Sequence, residues 1–220
     1  MSLAALVLAA GRGERLRPLT DVTPKPLLRV GDTTLLDAAL ARVAQVVPVS
    51  PSTVAVNAHW LADQIAAHVA GRVHVSVEEP EALGTAGAVG AIRDWLGDRD
   101  VLIANGDVWW GADADLAGFV DGWDRRRPRL LVVADPQRPD FEGKWRFAGV
   151  SLLPAAIAGT LQPVPSGLYE LVWSRTPIDL VPAQITFIDC GSPEDLERAR
   201  RLASAVGTPR AELGPRPPRG

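Results

Sequence analysis

The chain has 220 residues, 47% hydrophobic and 22% charged, with a net charge of −3; that is the profile of a globular protein, and it carries no basic footprint for nucleic acid. One α/β domain of this length buries roughly 70% of its unfolded surface. A single cysteine, Cys190, excludes an intrachain disulfide and fits a reducing compartment; no basic segment precedes the first apolar run, which is too short for a membrane span, so cytoplasm is expected and no membrane partner.

Strand and helix patterns alternate along the chain. Leu3–Ala9 reads as a buried strand. Thr34–Val46 has helical spacing, with Thr33 or Thr34 as N-cap, and Pro48 and Pro51 end it. Thr53–Val56 is a second strand, His59–Val69 a helix stopped by Gly71, and Val73–Val77 a third strand. Thr85–Leu96 reads as one helix between Gly84 and Gly97. Val101–Ala104 is a fourth strand, Leu116–Trp123 a helix, and Leu130–Ala134 a fifth strand. Beyond Pro136 the pattern weakens. Phe147–Leu152 reads as an antiparallel or edge strand, Pro154–Leu161 as a short helix, and Pro163 to Pro182 resists assignment. Gln184–Ile188 is a strand. Pro193–Val206 is a helix capped by Ser192, with Pro193 at its first position and Glu194 and Asp195 in its first turn. Strands separated by helices predict an α/β fold with a mostly parallel sheet and helices on both faces. Residues 1–207 form one domain in this reading, and 208–220, rich in Pro, Arg and Gly, a disordered tail.

The most informative stretch follows the first strand. Ala9-Ala10-Gly11-Arg12-Gly13 leads to Arg15, Arg17 and Lys25. Glycines let backbone N–H groups approach an anion, and the cations neutralise its charge. The dinucleotide fingerprint needs a third glycine at position 16, which is Leu16; the ATPase phosphate loop needs a Gly-Lys-Ser/Thr that the chain lacks. Only Lys25 and Lys144 are lysines, and Lys25 is held between Pro24 and Pro26, so its loop is stiff before it meets a phosphate. Open parallel sheets bind ligands at the carboxyl ends of their strands. Asn105-Gly106-Asp107 and Asp189-Cys190-Gly191 stand at such ends. Asp107 and Asp189 therefore converge on one cleft, and a Mg²⁺ bound to a triphosphate needs one or two such carboxylates.

The extended pattern Gly-x-Gly-x-Arg-x-x-Pro-x-Thr-x-x-x-Pro-Lys-Pro resembles the signature of the sugar-1-phosphate nucleotidyltransferases, over residues 5 to 28 without a gap. The resemblance implies a single-domain Rossmann-like nucleotidyltransferase fold. It implies transfer of a nucleotidyl group, from UTP or GTP, to a sugar 1-phosphate with release of pyrophosphate. It assigns phosphate binding to Ala9, Ala10, Gly11 and Gly13, catalysis to Arg15 and Lys25, and the Mg²⁺ to Asp107 and Asp189. Phe187-Ile188-Asp189-Cys190-Gly191-Ser192-Pro193 resembles the second metal segment of the family, with Phe for Trp, Cys for Val and Ser for Thr. Leu83-Gly84-Thr85-Ala86-Gly87 reads equally as a close helix–sheet contact needing small residues and as a wall for the base and ribose; it resembles segments of uridylyl- and guanylyltransferases of the family, which gives Gly84 and Thr85 to the nucleotide, and Glu78 and Glu79 before it stand where base edges would be read. Around the sugar the resemblance places Asn57, which reads equally as a turn former, Lys144, with Arg146 beside it, and Glu170; Asn105 is a further candidate there, and Trp109 and Trp110, directly after Asp107, read equally as a sugar wall, core or rim. The expected partners are the two substrates alone, without nucleic acid, in a monomer or small homo-oligomer. The compact members of the family, the N-acetylmuramate-1-phosphate uridylyltransferases and minimal mannose-1-phosphate guanylyltransferases, are the most similar in size. A non-catalytic nucleotide-sugar sensor would be expected to lose the lysine or the aspartates, and a nicotinamide oxidoreductase needs the missing glycine.

Overall fold

A computed structural model describes residues 2–206; the expected tail, 208–220, lies outside the described residues. The first strand, β1 (Leu3–Leu8), leads through two single turns of 3₁₀-helix, Glu14–Leu16 and Lys25–Leu27, on either side of α1 (Leu19–Val22). A small antiparallel ribbon follows, β2 (Arg29–Val30) with β3 (Thr33–Thr34), and then α2 (Leu35–Val43). The central part comprises β4 (Val54–Ala58), α3 (Ala62–Val69), β5 (His74–Val77), α4 (Gly84–Ala91), α5 (Arg93–Leu96) and β6 (Asp100–Asn105). It continues with β7 (Val108–Trp110), α6 (Leu116–Val120), β8 (Arg129–Ala134), β9 (Trp145–Leu153) and α7 (Ala155–Ala158). A five-residue π-helix (Tyr169–Trp173), β10 (Asp179–Pro182), β11 (Phe187–Asp189) and α8 (Pro193–Val206) complete the described chain.

Seven strands form the main sheet in the order β10-β8-β9-β6-β1-β4-β5. All neighbours are parallel except where β9 runs antiparallel to both β6 and β8. The predicted α/β class is therefore present. The predicted antiparallel strand is also present, but it lies inside the sheet, not at its edge.

The apolar run of β1 serves both faces, as an interior parallel strand requires. Ala5 and Val7 pack with α2, α3 and α6, while Ala4 and Leu6 pack with α4, α5 and α7. Alternate side chains of one strand thus build two cores. A third core lies under α8 and joins Leu16, Leu28, Leu35, Trp109, Ile188 and Leu196.

Three elements differ from the sequence expectation. The helix expected over 85–96 is two, because Ile92 leaves helical geometry at φ −98°, ψ 9°. The strand expected over 184–188 begins at Phe187 and belongs to a separate antiparallel ribbon, where it pairs with β7. The unassigned stretch 163–182 contains the π-helix and an edge strand of the main sheet. None of these was visible in local periodicity, since each depends on a partner distant in sequence.

The chain order decides where a ligand can sit. β1 has β4 on one side and β6 on the other, so connections leave β1 in opposite directions. The crevice at the carboxyl ends of β1 and β6 is the switch point at which such sheets bind ligands.

Candidate active site

The loop after β1 lines a pocket of about 460 Å³ with Ala9, Gly11, Arg12, Gly13, Arg15, Lys25, Asp107 and Gly191. Gly11 is open, with nothing within 4 Å of a Cβ built there. Gly13 has φ +64°, and a Cβ would lie 2.9 Å from Thr20 Cγ2 and 3.0 Å from Lys25 Cβ. The glycine is thus required both by its conformation and by the aliphatic stem of Lys25 that packs on it. Thr20 is buried and its hydroxyl donates to the Gly13 carbonyl at 2.9 Å. That bond ties the Gly-x-Gly turn to the segment that carries Lys25.

Lys25 is the centre of the charge arrangement. Its side chain is only 8% exposed. Its Nζ donates to Asp107 Oδ2 at 2.7 Å and lies 3.7 Å from Asp189 Oδ1. The two aspartates therefore meet, as expected, but by a different route from the expected strand ends of one sheet. Asp107 follows β6, whereas Asp189 belongs to the β7–β11 ribbon, in register with Val108. The Cys190 N–H donates to the Asp107 carbonyl at 3.2 Å and continues the pairing. Buried Arg42 of α2 braces the ribbon, its Nη2 donating to the Gly111 carbonyl at 2.6 Å, and Asp113 accepts from the Thr186 N–H at 2.8 Å.

Arg15 reaches the same place. A Cβ on Gly191 would lie 2.5 Å from Arg15 Nη2 and 3.2 Å from Asp189 Oδ1; glycine leaves the guanidinium room against the second aspartate. On the far side, Arg146 Nη2 is 3.9 Å from Asp189 Oδ2, and Nη1 is 3.5 Å from Asp135. Asp135 sits below its usual range: its burial opposes this, but N–H donation from Arg138 and Gln137 and the charges of Arg138 and Arg146 prevail. Cys190 is fully buried and its thiol is pushed up to about 12, chiefly by that burial, so it is no nucleophile at neutral pH.

A second cavity, of about 780 Å³, adjoins the first at Leu8. Asn105, Gly84, Thr85 and Glu170 line it, together with Phe147, Tyr169 and Trp173. Gly84, Gly87 and Gly90 of α4 carry the chain segment 162–166 directly on their backbone: added Cβ atoms would collide with Ser166, Val164 and Gln162 respectively. The Thr85 hydroxyl accepts from the Leu168 N–H at 2.8 Å. The Gly-Thr-Ala-Gly element therefore docks the roof of this cavity as well as facing it.

Other expected residues lie elsewhere. Asn57, expected at the sugar, is buried and spends its amide internally: its Oδ1 accepts from the Ala9 N–H, and its Nδ2 donates to Glu78 Oε1, both at 2.7 Å. Glu78 Oε2 accepts from the Leu83 N–H at 2.7 Å, so Glu78 is a bracket between loops, not a reader of bases. Glu79 beside it is exposed. Trp109 and Trp110, open between sugar wall, core and rim, are both core: Trp109 packs under α8 and Trp110 with the first core. Lys144 is 58% exposed, pairs with Glu142 at 3.8 Å and lies over the Trp145 ring, lining neither pocket. Ala10 is buried beside the phosphate loop without lining its pocket. Thr20 and Glu78 were missed as organising groups; the signal for Thr20 was present, since it is a fixed position of the Gly-x-Gly to Pro-Lys-Pro pattern.

Asp107, 34% exposed, lines the glycine-rich pocket, and Asp189, 41% exposed, lies behind it on the other side of the Lys25 ammonium. That set suits a hard cation that takes one or two carboxylates and completes its shell with phosphate oxygens and water. Among the described residues no group of three or more His, Cys, Asp or Glu could cage a metal alone. Nor, among them, is any helix long and apolar enough to cross a membrane.

The nucleotidyl transferase family model matches residues 4–139. An N-acetylmuramate alpha-1-phosphate uridylyltransferase of Caulobacter vibrioides is 38% identical over 139 residues, 59% of this chain and 56% of that protein. One from Neisseria meningitidis is 38% identical over 121 residues, 52% of this chain and 51% of that protein. The chain spans about half the length of these curated relatives. Among solved structures, HddC of Yersinia pseudotuberculosis complexed with GMP-PN shares the fold at TM-score 0.71 and 19% identity, covering 91% of this chain and 99% of that one. With the loop, Lys25 and Asp107 all inside the matched span, the chain belongs to the nucleotidyl transferase family.

Proposed function

We propose that this protein transfers a nucleotidyl group from a nucleoside triphosphate to a sugar 1-phosphate and releases pyrophosphate. The observation that carries the reading is Lys25, buried between Asp107 and Asp189 on the wall of a glycine-lined, arginine-rich pocket. UTP is the first nucleotide to test, since the curated relatives named above are uridylyltransferases; GTP is the second. Residues 1–207 act as a single domain in this reading. The lone cysteine supports a reducing compartment, the cytoplasm.

The attacking sugar phosphate is already ionised near neutral pH, so the chain need not supply a strong base. Its task is positioning and charge neutralisation. Gly11 and Gly13 offer backbone N–H groups to the triphosphate. Arg15 holds the outer phosphates and steadies the departing pyrophosphate. Lys25 bridges the α-phosphate and the incoming phosphate, bringing two anions within reach of each other. Asp107 and Asp189 would hold Mg²⁺, which when bound supplies Lewis-acid stabilisation of charge on the phosphates.

The test is pyrophosphate release with Mg²⁺ across a panel of nucleoside triphosphates and sugar 1-phosphates, with Lys25→Ala as control. Release is expected, and the variant loses at least about a hundredfold, on the order of 2.7 kcal/mol. Near-normal turnover in Lys25→Ala overturns the assignment.

A further inference from the structure

The two cavities that meet at Leu8 differ in charge. Arg12, Arg15 and Lys25 all line the phosphate pocket, and none of them lines the larger cavity. Among the described residues lining that cavity, the only charged side chain is Glu170. Its carboxylate folds back to where a Cβ on Gly167 would be, on the cavity wall. The neighbouring cation, Arg146, turns the other way, to Asp135 and Asp189. The remaining wall is largely aliphatic and aromatic.

Such a space, largely apolar with a few polar side chains such as Asn105 and Glu170, accepts a neutral ring with hydroxyl or amide groups. It opposes an anion, which would lie beside the exposed Glu170 carboxylate with no cation among the lining residues. If the chain is a sugar-1-phosphate nucleotidyltransferase, the phosphates of both substrates belong to the cationic pocket. Their uncharged parts then extend into this cavity. We infer that the protein selects sugar 1-phosphates whose ring substituents are neutral, and that Glu170 rejects sugars bearing a carboxylate. This rests on the transferase reading and narrows it. The family match ends at residue 139, while Phe147 and the roof from Pro165 to Trp173 lie beyond it. N-acetylmuramate, whose lactyl ether carries a carboxylate, falls on the rejected side of this inference.

Two matched pairs test the inference: N-acetylglucosamine 1-phosphate against N-acetylmuramate 1-phosphate, and glucose 1-phosphate against glucuronate 1-phosphate. The neutral member of a pair is expected to have a kcat/KM higher by roughly tenfold or more, as an unpaired like-charge contact implies. Glu170→Gln is expected to shrink that ratio to about threefold or less by raising the acid sugar. Equal or faster turnover of the acid sugars overturns the inference, as does a ratio unchanged in Glu170→Gln. Calorimetric binding of each pair, with a non-hydrolysable triphosphate present, reads the same preference without turnover, and tighter binding of the acid sugar also overturns it. A neutral preference in binding, with no turnover of any sugar by any nucleotide, would refute the transferase reading and leave the selectivity of the cavity standing.

Discussion

The Lys25 ammonium lies 2.7 Å from Asp107 Oδ2 and 3.7 Å from Asp189 Oδ1, so one lysine faces both of the carboxylates that the family resemblance gives to a metal. A lysine in that position competes with a divalent cation for the same oxygens until phosphates arrive to draw it away. Lys25→Met, which keeps most of the buried stem, is expected to bind Mn²⁺ in the absence of nucleotide about tenfold more tightly than the native protein, a difference of roughly 1.4 kcal/mol. Calorimetric titration measures this, and unchanged affinity would show that the ammonium does not compete.

Gly13 is the position where the phosphate loop tolerates least change. Alanine there meets a left-handed backbone and, at 2.9 and 3.0 Å, Thr20 and the Lys25 stem. A cost of about 1–2 kcal/mol is expected from the backbone alone. Nucleotide KM should rise with it, because the Lys25 stem is displaced. Chemical denaturation paired with steady-state kinetics separates the two effects.

Gly87 tests the docking of the cavity roof. A Cβ there runs into the Val164 carbonyl, and main chain cannot step aside as a flexible side chain can. Gly87→Ala is expected to cost about 1–3 kcal/mol, the range for overpacking. It should raise the KM values of both substrates, whose uncharged parts extend into this cavity in the proposed reading. Unchanged values would argue against the roof's role in holding them.

Asn57 joins the phosphate loop to Glu78 through two bonds of 2.7 Å. Asn57→Ala leaves a buried N–H and a buried carboxylate oxygen unpaired, at about 1–3 kcal/mol for each group. Asn57→Asp, though closer in shape, should be worse, because it sets a second carboxylate against Glu78 inside the protein. The order of melting temperatures, native above Ala above Asp at neutral pH, checks the argument; an Asp variant as stable as native would refute it.

Asp37 supplies a pH-dependent term. Burial acts to raise its pKa, but bonds from His68 and Thr34 and the charges of His68 and Arg72 lower it to about 2. Its contribution is therefore fully present above its ordinary value of 3.8 and is lost as pH falls through about 2. Asp37→Asn should melt well below the native protein at pH 7, and the gap should close as pH falls from about 4 to about 2. A gap that stays constant over that range excludes the ion cluster as its cause.

Much of this was open to reading from residues near one another in the chain. The apolar run of β1, the Gly-x-Gly turn after it and the lysine between prolines are local features, and local sterics and periodicity make them legible. The three glycines of α4 were equally visible as glycines. That the segment 162–166 lies on them was not, because nothing in either segment names the other. Trp109 and Trp110 read equally as a sugar wall, core or rim, and only the cover on both faces of their short ribbon makes both of them core.

The sequence by itself determined the fold class, and residue type and short-range spacing put forward the glycine-and-cation loop and the two acidic residues. Only the tertiary structure decided how Asp189 reaches Asp107, through the pairing of β7 with β11 some eighty residues apart, and that Asn57 spends its amide inside the molecule. It alone also decided that one cavity gathers the cations while its neighbour presents a single carboxylate. Distances between side chains remote in sequence are set by packing, and packing is a property of the whole chain.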